Sequence, residues 1–197
     1  MKHTLYRSLA TPALLFFLVV TLLACGSNDA GQPVSDNEPD NYDYDVEERL
    51  SELGIELDEE PTPPVANYVP SVRTGNLIFL SGHGPDKPDG SQVIGKVGEE
   101  LSIEEGQQAA RLTAISLLTS LKAEIGDLNK VKRVVKVFGM VNATSDFTEH
   151  PQVINGFSDL MVEVFGPKGK HARAAVGMGS LPGNIPVEID MIVEVGE

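Results

Sequence analysis

The chain has few of the residues that nucleic-acid-binding proteins use. It contains no tryptophan, its aromatic fraction is 6%, and 15 lysines and arginines stand against 29 aspartates and glutamates. The formal charge of −14 offers no basic surface to a phosphate backbone. The shortage of aromatic side chains also leaves little for unpaired bases to stack on. The composition therefore argues against a nucleic acid as the partner.

Cysteine and long apolar runs are also scarce. Cys25 is the only cysteine, so the chain cannot form a disulfide within itself. The main apolar run, about residues 12–23, is short for a membrane-spanning helix of about 20 residues. It follows Lys2 and Arg7, and a basic start before an apolar run of this length is typical of a signal peptide.

This apolar run ends in Leu22-Leu23-Ala24-Cys25, which resembles the lipobox of bacterial lipoproteins. The resemblance implies that residues 1–24 are a signal peptide and that Cys25 is acylated as the first residue of the mature chain. The protein would then be exported and lipid-anchored to a bacterial membrane, on its periplasmic or cell-surface face. An ordinary signal cleavage site beside a small residue is the alternative. Acylation would leave no thiol for chemistry in the folded part.

The acidic segment at residues 25–45 is predicted to be a disordered tether, because it has almost no apolar residue to offset the ordering entropy. The remainder, residues 46–197, is long enough for one domain. Within it we predict, in order, a short helix ending at Gly54, a hairpin of residues 67–73 and 77–81, a helix from the Ser102–Glu105 capping box to Gly126, a strand at 131–141, a helix at 147–165 and two final strands.

The predicted order places a helix between strands twice. This order favours an α+β domain with a mixed sheet of about six strands and two helices on one face. Hairpins are expected to open and close the sheet.

Two charged residues interrupt the apolar pattern of the last two predicted strands. Side chains alternate between the two faces of a strand, so Arg173 shares a face with the small Ala175. Glu188 points to the face of its strand that does not carry the valines. We expect the apolar face of each strand to build the core. Arginine donors suit a carboxylate, and a glutamate can move a proton. A surface salt bridge between the two groups would also explain them.

The connection between these strands limits how the charges can meet. Leu181-Pro182-Gly183-Asn184 predicts a type II turn. A hairpin closed by this turn would pair Glu188 with Gly177 and leave Arg173 about 13 Å further along the strand. The two groups share a ligand only if the connection is irregular or if they come from different subunits.

Four segments resemble the RidA family, also called YjgF/YER057c/UK114, over about residues 46–195. The segments are Asn67-Tyr68-Val69; Gly75-Asn76-Leu77-Ile78 with Ser81-Gly82; Val153-Ile154-Asn155; and Ala172-Arg173 with Leu181-Pro182 and Val187-Glu188-Ile189. The resemblance implies a fold like that of the Bacillus-type chorismate mutase. It also implies a homotrimer with sites at the subunit contacts.

Proteins of the RidA type hydrolyse reactive enamines and imines to 2-keto acids and ammonia without a cofactor. The resemblance implies that Arg173 binds the carboxylate of a small substrate and that Glu188 orients or activates the attacking water. It further implies that Gly82 and Ala175 contribute main-chain groups to the pocket. The side chains of Tyr68 and Asn155 would line it.

The chain departs from the family pattern at two places. His83 follows the matched Gly82, so an imidazole is expected at the mouth of the pocket. Asn155 stands one position out of the usual spacing to Arg173, because the loop that contains Lys168 and Lys170 is slightly enlarged. These two lysines are expected to be solvated.

Two other kinds of function stay open, and a metal site is not predicted. Histidines 83, 150 and 171 lack the ligand spacing and the carboxylate companions of a zinc site. A non-catalytic module that captures a carboxylate metabolite or a partner through Arg173 fits the predicted export, because enamines from pyridoxal enzymes arise in the cytoplasm. The ribonuclease activity sometimes attributed to the family is opposed by the net charge and by export.

Overall fold

Residues 42–87 and 89–196 are described by a computed structural model. The predicted signal peptide, Cys25 and most of the predicted tether lie outside the described residues. In the described part of the chain, no helix is long and apolar enough to cross a membrane.

Residues 42–45, at the end of the predicted tether, contact the domain. The hydroxyl of Tyr42 donates to the main-chain oxygen of Val131 at 2.8 Å, and that of Tyr44 donates to the main-chain oxygen of Val164 at 2.9 Å. Lys168 lies with its ammonium 4.0 Å from the centre of the Tyr42 ring. Only 7% of Lys168 is exposed, so the prediction that it is solvated is wrong. A cation–π contact stabilises the buried ammonium instead.

Five strands and three α-helices form an α+β domain in the described residues. In chain order they are α1 (Val46–Glu52), β1 (Ser71–Thr74), β2 (Leu77–His83), α2 (Ile103–Ile125), β3 (Val131–Asn142), α3 (His150–Phe165), β4 (Ala172–Met178) and β5 (Val187–Val195). The prediction of an α+β domain with a mixed sheet is confirmed, with five strands rather than about six.

The boundaries of the long helix α2 follow from its capping residues. Ser102 and Glu105 form the predicted capping box, in which each side chain accepts a hydrogen bond from the other residue's main-chain N–H. Gly126 ends the helix at a φ of 78°, a left-handed conformation that glycine adopts without strain. The predicted helix is therefore confirmed at both ends.

The strand order in the sheet is β1-β2-β5-β3-β4. All neighbours are antiparallel except β3 and β4, which are parallel because α3 crosses between them. The predicted closing hairpin is therefore wrong, since β3 lies between β4 and β5. A short 3₁₀ helix, Pro182–Asn184, replaces the predicted turn. Buried Asn142 stabilises this crossing by donating to the Asn184 side chain at 3.0 Å and to the Ile185 main-chain oxygen at 3.2 Å.

The two long helices pack on one face of the sheet. On β5, the face toward the helices carries the predicted apolar residues, all of them buried: Val187, Ile189, Met191, Val193 and Val195. On β4 the prediction is wrong, because its apolar residues Ala172, Ala174, Val176 and Met178 lie on the other face of the sheet. Arg173 pairs with the buried Val137 and Ala175 pairs with Gly139. Small residues on this face give α3 room to approach, and a Cβ at Gly139 would lie only 2.7 Å from Ile154.

Candidate functional site

Arg173 lies on the edge strand β4 and points toward α3. Its Nη1 donates to Asn155 Oδ1 at 2.9 Å and to Ser158 Oγ at 3.0 Å. Its Nη2 donates to the main-chain oxygen of Pro151 at 3.4 Å. Asn155, which the sequence predicts as a pocket residue, therefore contacts Arg173 directly.

These hydrogen bonds leave a defined part of the guanidinium available. An arginine has five N–H donors, and both donors of Nη1 on Arg173 are engaged. No described residue accepts from Nε, and Nη2 keeps a second donor beside it. Nε–H and Nη2–H are parallel, so they can bind both oxygens of one carboxylate. Arg173 thus presents a side-on carboxylate site that its neighbours hold in place.

His171 supports this arrangement from behind. Its Nδ1 lies 2.7 Å from the main-chain oxygen of Gly169, and its Nε2 lies 3.0 Å from Ser158 Oγ. A carbonyl oxygen only accepts, so we assign the proton to Nδ1, and Ser158 then donates to Nε2. Burial lowers the pKa of His171, which favours this neutral ring. The Ser158 oxygen is left to accept from Arg173.

We call Arg173, Asn155, Ser158 and His171 the Arg173 cluster. Ala175, the other predicted contributor on this strand, lies on the same face two residues along and packs against the core. Ser158 and His171 were not among the predicted site residues. The position of Ser158 three residues after Asn155 on one helix was the available signal, because such residues share a helix face.

Glu188 lies in a different place, on the face of β5 that is turned away from the helices. Gly82 on the adjacent β2 faces it, and a Cβ at Gly82 would clash with Glu188 Oε1. Burial, and secondarily the charge of Asp190, raise the pKa of Glu188. No described residue donates a hydrogen bond to its carboxylate. Gly82 therefore provides the space for a carboxylate that has no partner of its own.

Tyr68 joins Glu188 and Gly82 in a cleft of about 600 Å³. These three predicted residues form what we call the Glu188 cluster. Other walls of the cleft come from the segment before β1 and from the connection before β5: Thr62, Pro63, Pro64, Val65, Pro70, Pro182, Gly183 and Ile185. Sequence reasoning did not find these walls, because they come from segments that lack regular structure.

His83 is among the residues that line the cleft, and its imidazole is directed toward α2 rather than toward Glu188. Its Nδ1 lies 2.8 Å from the main-chain oxygen of Ser81, and its Nε2 lies 2.7 Å from the hydroxyl of buried Ser120. Burial lowers its pKa. Because both ring nitrogens are engaged, His83 has no nitrogen left for a substrate.

The two clusters do not meet within one chain. Along β3, Arg173 pairs with Val137, whereas Glu188 pairs with Met140 three residues further on and across the opposite edge of the strand. The two side chains also point to opposite faces of the sheet. A salt bridge between Arg173 and Glu188 is therefore not the reason for these charges. Each is part of a separate, organised group.

Comparison with known proteins relates this geometry to a family. Residues 47–194 match the family described as "YjgF/chorismate mutase-like, putative endoribonuclease". Protein TCP17 of Trypanosoma cruzi is 42% identical over 151 residues, which are 76% of this chain and 94% of that protein. A 2-iminobutanoate/2-iminopropanoate deaminase of Dermatophagoides farinae is 31% identical over 134 residues, 67% of this chain and 88% of that protein.

A solved structure gives the same result for the fold. A protein of unknown function from Agrobacterium tumefaciens superposes with a TM-score of 0.71 at 46% identity, over 77% of this chain and 92% of that chain.

Proposed function

The chain belongs to the YjgF/RidA-like family, and from this we propose that it is a deaminase that hydrolyses 2-imino and 2-enamino acids to 2-keto acids and ammonia. One observation carries the proposal: among the described residues, Arg173 is held by three acceptors with donors left over, and Glu188, in a separate cleft, accepts no hydrogen bond. These are the two groups that hydrolysis of an imino acid requires. The imine deaminase among the relatives adds support.

We further propose that the active site is completed by a second copy of the chain, in a homotrimer. The separation of the two clusters supports this, because neither cluster alone contains both groups. In a closed ring of three copies, each contact brings the Arg173 cluster of one copy to the Glu188 cluster of its neighbour. Three equivalent sites result.

The proposed reaction needs only positioning and proton transfer. Nε and Nη2 of Arg173 bind the substrate carboxylate, which fixes the imine carbon. Ionised Glu188 accepts a proton from water as the water oxygen bonds to that carbon and the C=N electron pair moves to nitrogen. Glu188 then returns the proton to the nitrogen. Glu188 next takes the hydroxyl proton of the carbinolamine and passes it to the amino group, so that the C–N bond breaks, the C=O bond of the keto acid forms and ammonia leaves.

The environment of Glu188 suits this role. A general base works best with a pKa near the working pH, and burial together with Asp190 raises the pKa of Glu188 in that direction. An unpartnered carboxylate in a cleft also keeps its oxygens available for water. The endoribonuclease in the family's description fits less well, because the formal charge of −14 repels a phosphate backbone.

The test is an assay of residues 42–197 with imines released by an amino-acid oxidase, following the loss of the imine signal. Arg173→Ala should lower kcat/KM at least about 100-fold, because a bidentate charged contact is lost. Glu188→Gln should lower kcat about 100- to 10,000-fold. Arg73→Ala and Glu104→Gln change the same residue types at exposed positions and should leave the rate unchanged.

Rates equal to the buffer blank in all proteins would contradict the deaminase. A 2-keto acid that still bound in calorimetry, and lost its affinity in Arg173→Ala, would then favour the carboxylate-binding module.

We also propose that the chain is an exported lipoprotein anchored at Cys25. The apolar run and the residues before Cys25 support this proposal. In a bacterial host, the full chain should partition into detergent and Cys25→Ser should not. Equal partitioning of both forms would contradict the anchor.

A further inference from the structure

We infer that the cleft beside Glu188 selects imino acids whose side chain is bulky and apolar, rather than the smallest imino acids. This inference rests on the proposed function, since it assigns a substrate class to the same site. It depends on the size of the cleft, on the chemistry of its walls and on the hydrogen bonds among its polar residues.

The cleft is larger than a small imino acid requires. Its volume of about 600 Å³ lies in the range of 300–1,000 Å³ that is typical of sites for drug-sized ligands. The wall beyond Glu188 is built mainly from rigid or branched apolar residues: Pro63, Pro64, Val65, Pro70, Pro182 and Ile185. Proline rings add apolar surface with little loss of side-chain entropy, so this wall is suited to burying a hydrocarbon group.

Several polar side chains of the cleft already have hydrogen-bond partners within the chain. The carboxylate of Asp86 accepts from Thr62 Oγ1 at 3.0 Å and from Gln92 Nε2 at 2.8 Å. The hydroxyl of Ser81 donates to the main-chain oxygen of Val69 at 2.7 Å. His83 has both nitrogens engaged. Apart from Glu188 and the hydroxyl of Tyr68, a polar substrate side chain would therefore meet few available side-chain partners among the lining residues.

Charge in the cleft works against acidic side chains in particular. Within one copy, Glu188 and Asp86 both line it and the lining residues include no lysine or arginine, while the neighbour's Arg173 is taken up by the carboxylate that every substrate shares. A carboxylate on the substrate side chain would be desolvated next to two like charges. Neutral apolar side chains meet neither penalty.

The experiment compares imines made by an oxidase from alanine, leucine, phenylalanine, glutamate and lysine. The imines from leucine and phenylalanine should show kcat/KM at least about tenfold above that from alanine, because each buried methylene can contribute about 10-fold. The imine from glutamate should be the poorest of the five. A lysine imine that is turned over faster than the leucine imine would overturn the inference.

A pair of variants tests whether the wall is responsible. Val65 lines the cleft and is 94% exposed, so Val65→Asp should fold normally while placing a charge in the apolar wall. It should lower kcat/KM about tenfold for the leucine imine and little for the alanine imine. Val69→Asp is the matched control, since Val69 is exposed on the same segment and is not among the lining residues. Equal losses for both imines in Val65→Asp would contradict selection by this wall.

Binding of products separates this inference from the proposed function. If no imine is hydrolysed but 4-methyl-2-oxopentanoate binds at least about tenfold more tightly than pyruvate in calorimetry, the deaminase proposal fails and the selectivity stands. If imines are hydrolysed with no preference for leucine over alanine, the selectivity fails and the deaminase stands.

Discussion

The Arg173 cluster and the Glu188 cluster are organised in opposite ways. In the Arg173 cluster, three acceptors hold the guanidinium, and one of them is supported in turn by a neutral histidine. In the Glu188 cluster, the carboxylate has no hydrogen-bond donor among the described residues, and a glycine gives it space. The proposed roles fit this contrast, because a group that binds a ligand benefits from a fixed position, whereas a proton-transferring group benefits from a pKa that burial keeps raised.

A histidine bonded to a serine lies at each of the two clusters, and the two pairs have similar geometry. His83 and His171 each place Nδ1 on the main-chain oxygen two residues earlier and Nε2 on a serine hydroxyl. Ser158 then accepts from Arg173, whereas Ser120 lies buried on α2. The same local arrangement therefore supports the binding arginine in one cluster and holds a residue that lines the cleft in the other.

The largest effect is expected from filling the space that Gly82 provides. In Gly82→Ala the new methyl group would clash with Glu188 Oε1 and move the carboxylate. A displacement of about 1 Å can cost about 100-fold, so kcat should fall by this order. Gly179→Ala is the matched control, because a Cβ there meets no atom within 4 Å.

The measurement is single-turnover hydrolysis with a melting curve for each variant. A loss of kcat in Gly82→Ala should accompany unchanged binding of a 2-keto acid, since that ligand depends on Arg173. A kcat equal to that of Gly179→Ala would show that the position of Glu188 is unimportant.

A smaller effect is expected from the support behind Arg173. Ser158→Ala removes one acceptor from Nη1, and the lost hydrogen bond should weaken 2-keto acid binding about tenfold. Ser158→Thr keeps the hydroxyl and should restore the affinity. Ser116→Ala is the control, because the Ser116 hydroxyl donates only to its own helix, at Leu112. Titration calorimetry measures the affinity of the three variants for a 2-keto acid. Equal affinity in Ser158→Ala and in the wild type would contradict a supporting role for Ser158 and His171.

The smallest effect concerns pH. Activity requires ionised Glu188, so it should fall as the pH drops through the raised pKa of that group. Asp190→Asn removes one of the two causes of the raised pKa, so the acid limb of kcat should move to lower pH. Burial is the larger cause and stays, so most of the rise in the pKa of Glu188 should remain. An acid limb that moved to higher pH would contradict this origin.

Sequence reasoning predicted the fold well where the signals are local. The capping box at Ser102 and the glycine at Gly126 each act within a few residues, and both predictions are confirmed. The order of the last strands failed because strand pairing depends on distant contacts. The hydrogen bonds from Asn142 across the end of β3 have no local signature.

The sequence predicted which residues belong to the candidate site better than it predicted how they are arranged. The structure brings Arg173 together with Asn155, and Glu188 together with Gly82 and Tyr68. Alternation also predicted that Arg173 shares a face with Ala175. It could not show that Arg173 and Glu188 face opposite sides, because that depends on which face of β4 the helices cover.

In the proposed trimer, the two clusters complete each other between copies of the chain. The test mixes two variants that should each have little activity alone, Arg173→Ala and Glu188→Gln. Equal amounts of the two are unfolded together, refolded and assayed. Random assembly places an intact Arg173 beside an intact Glu188 at about a quarter of the contacts, so about a quarter of wild-type activity should return. Activity no higher than that of the separate variants, in a mixture shown to contain mixed oligomers, would contradict a site shared between copies.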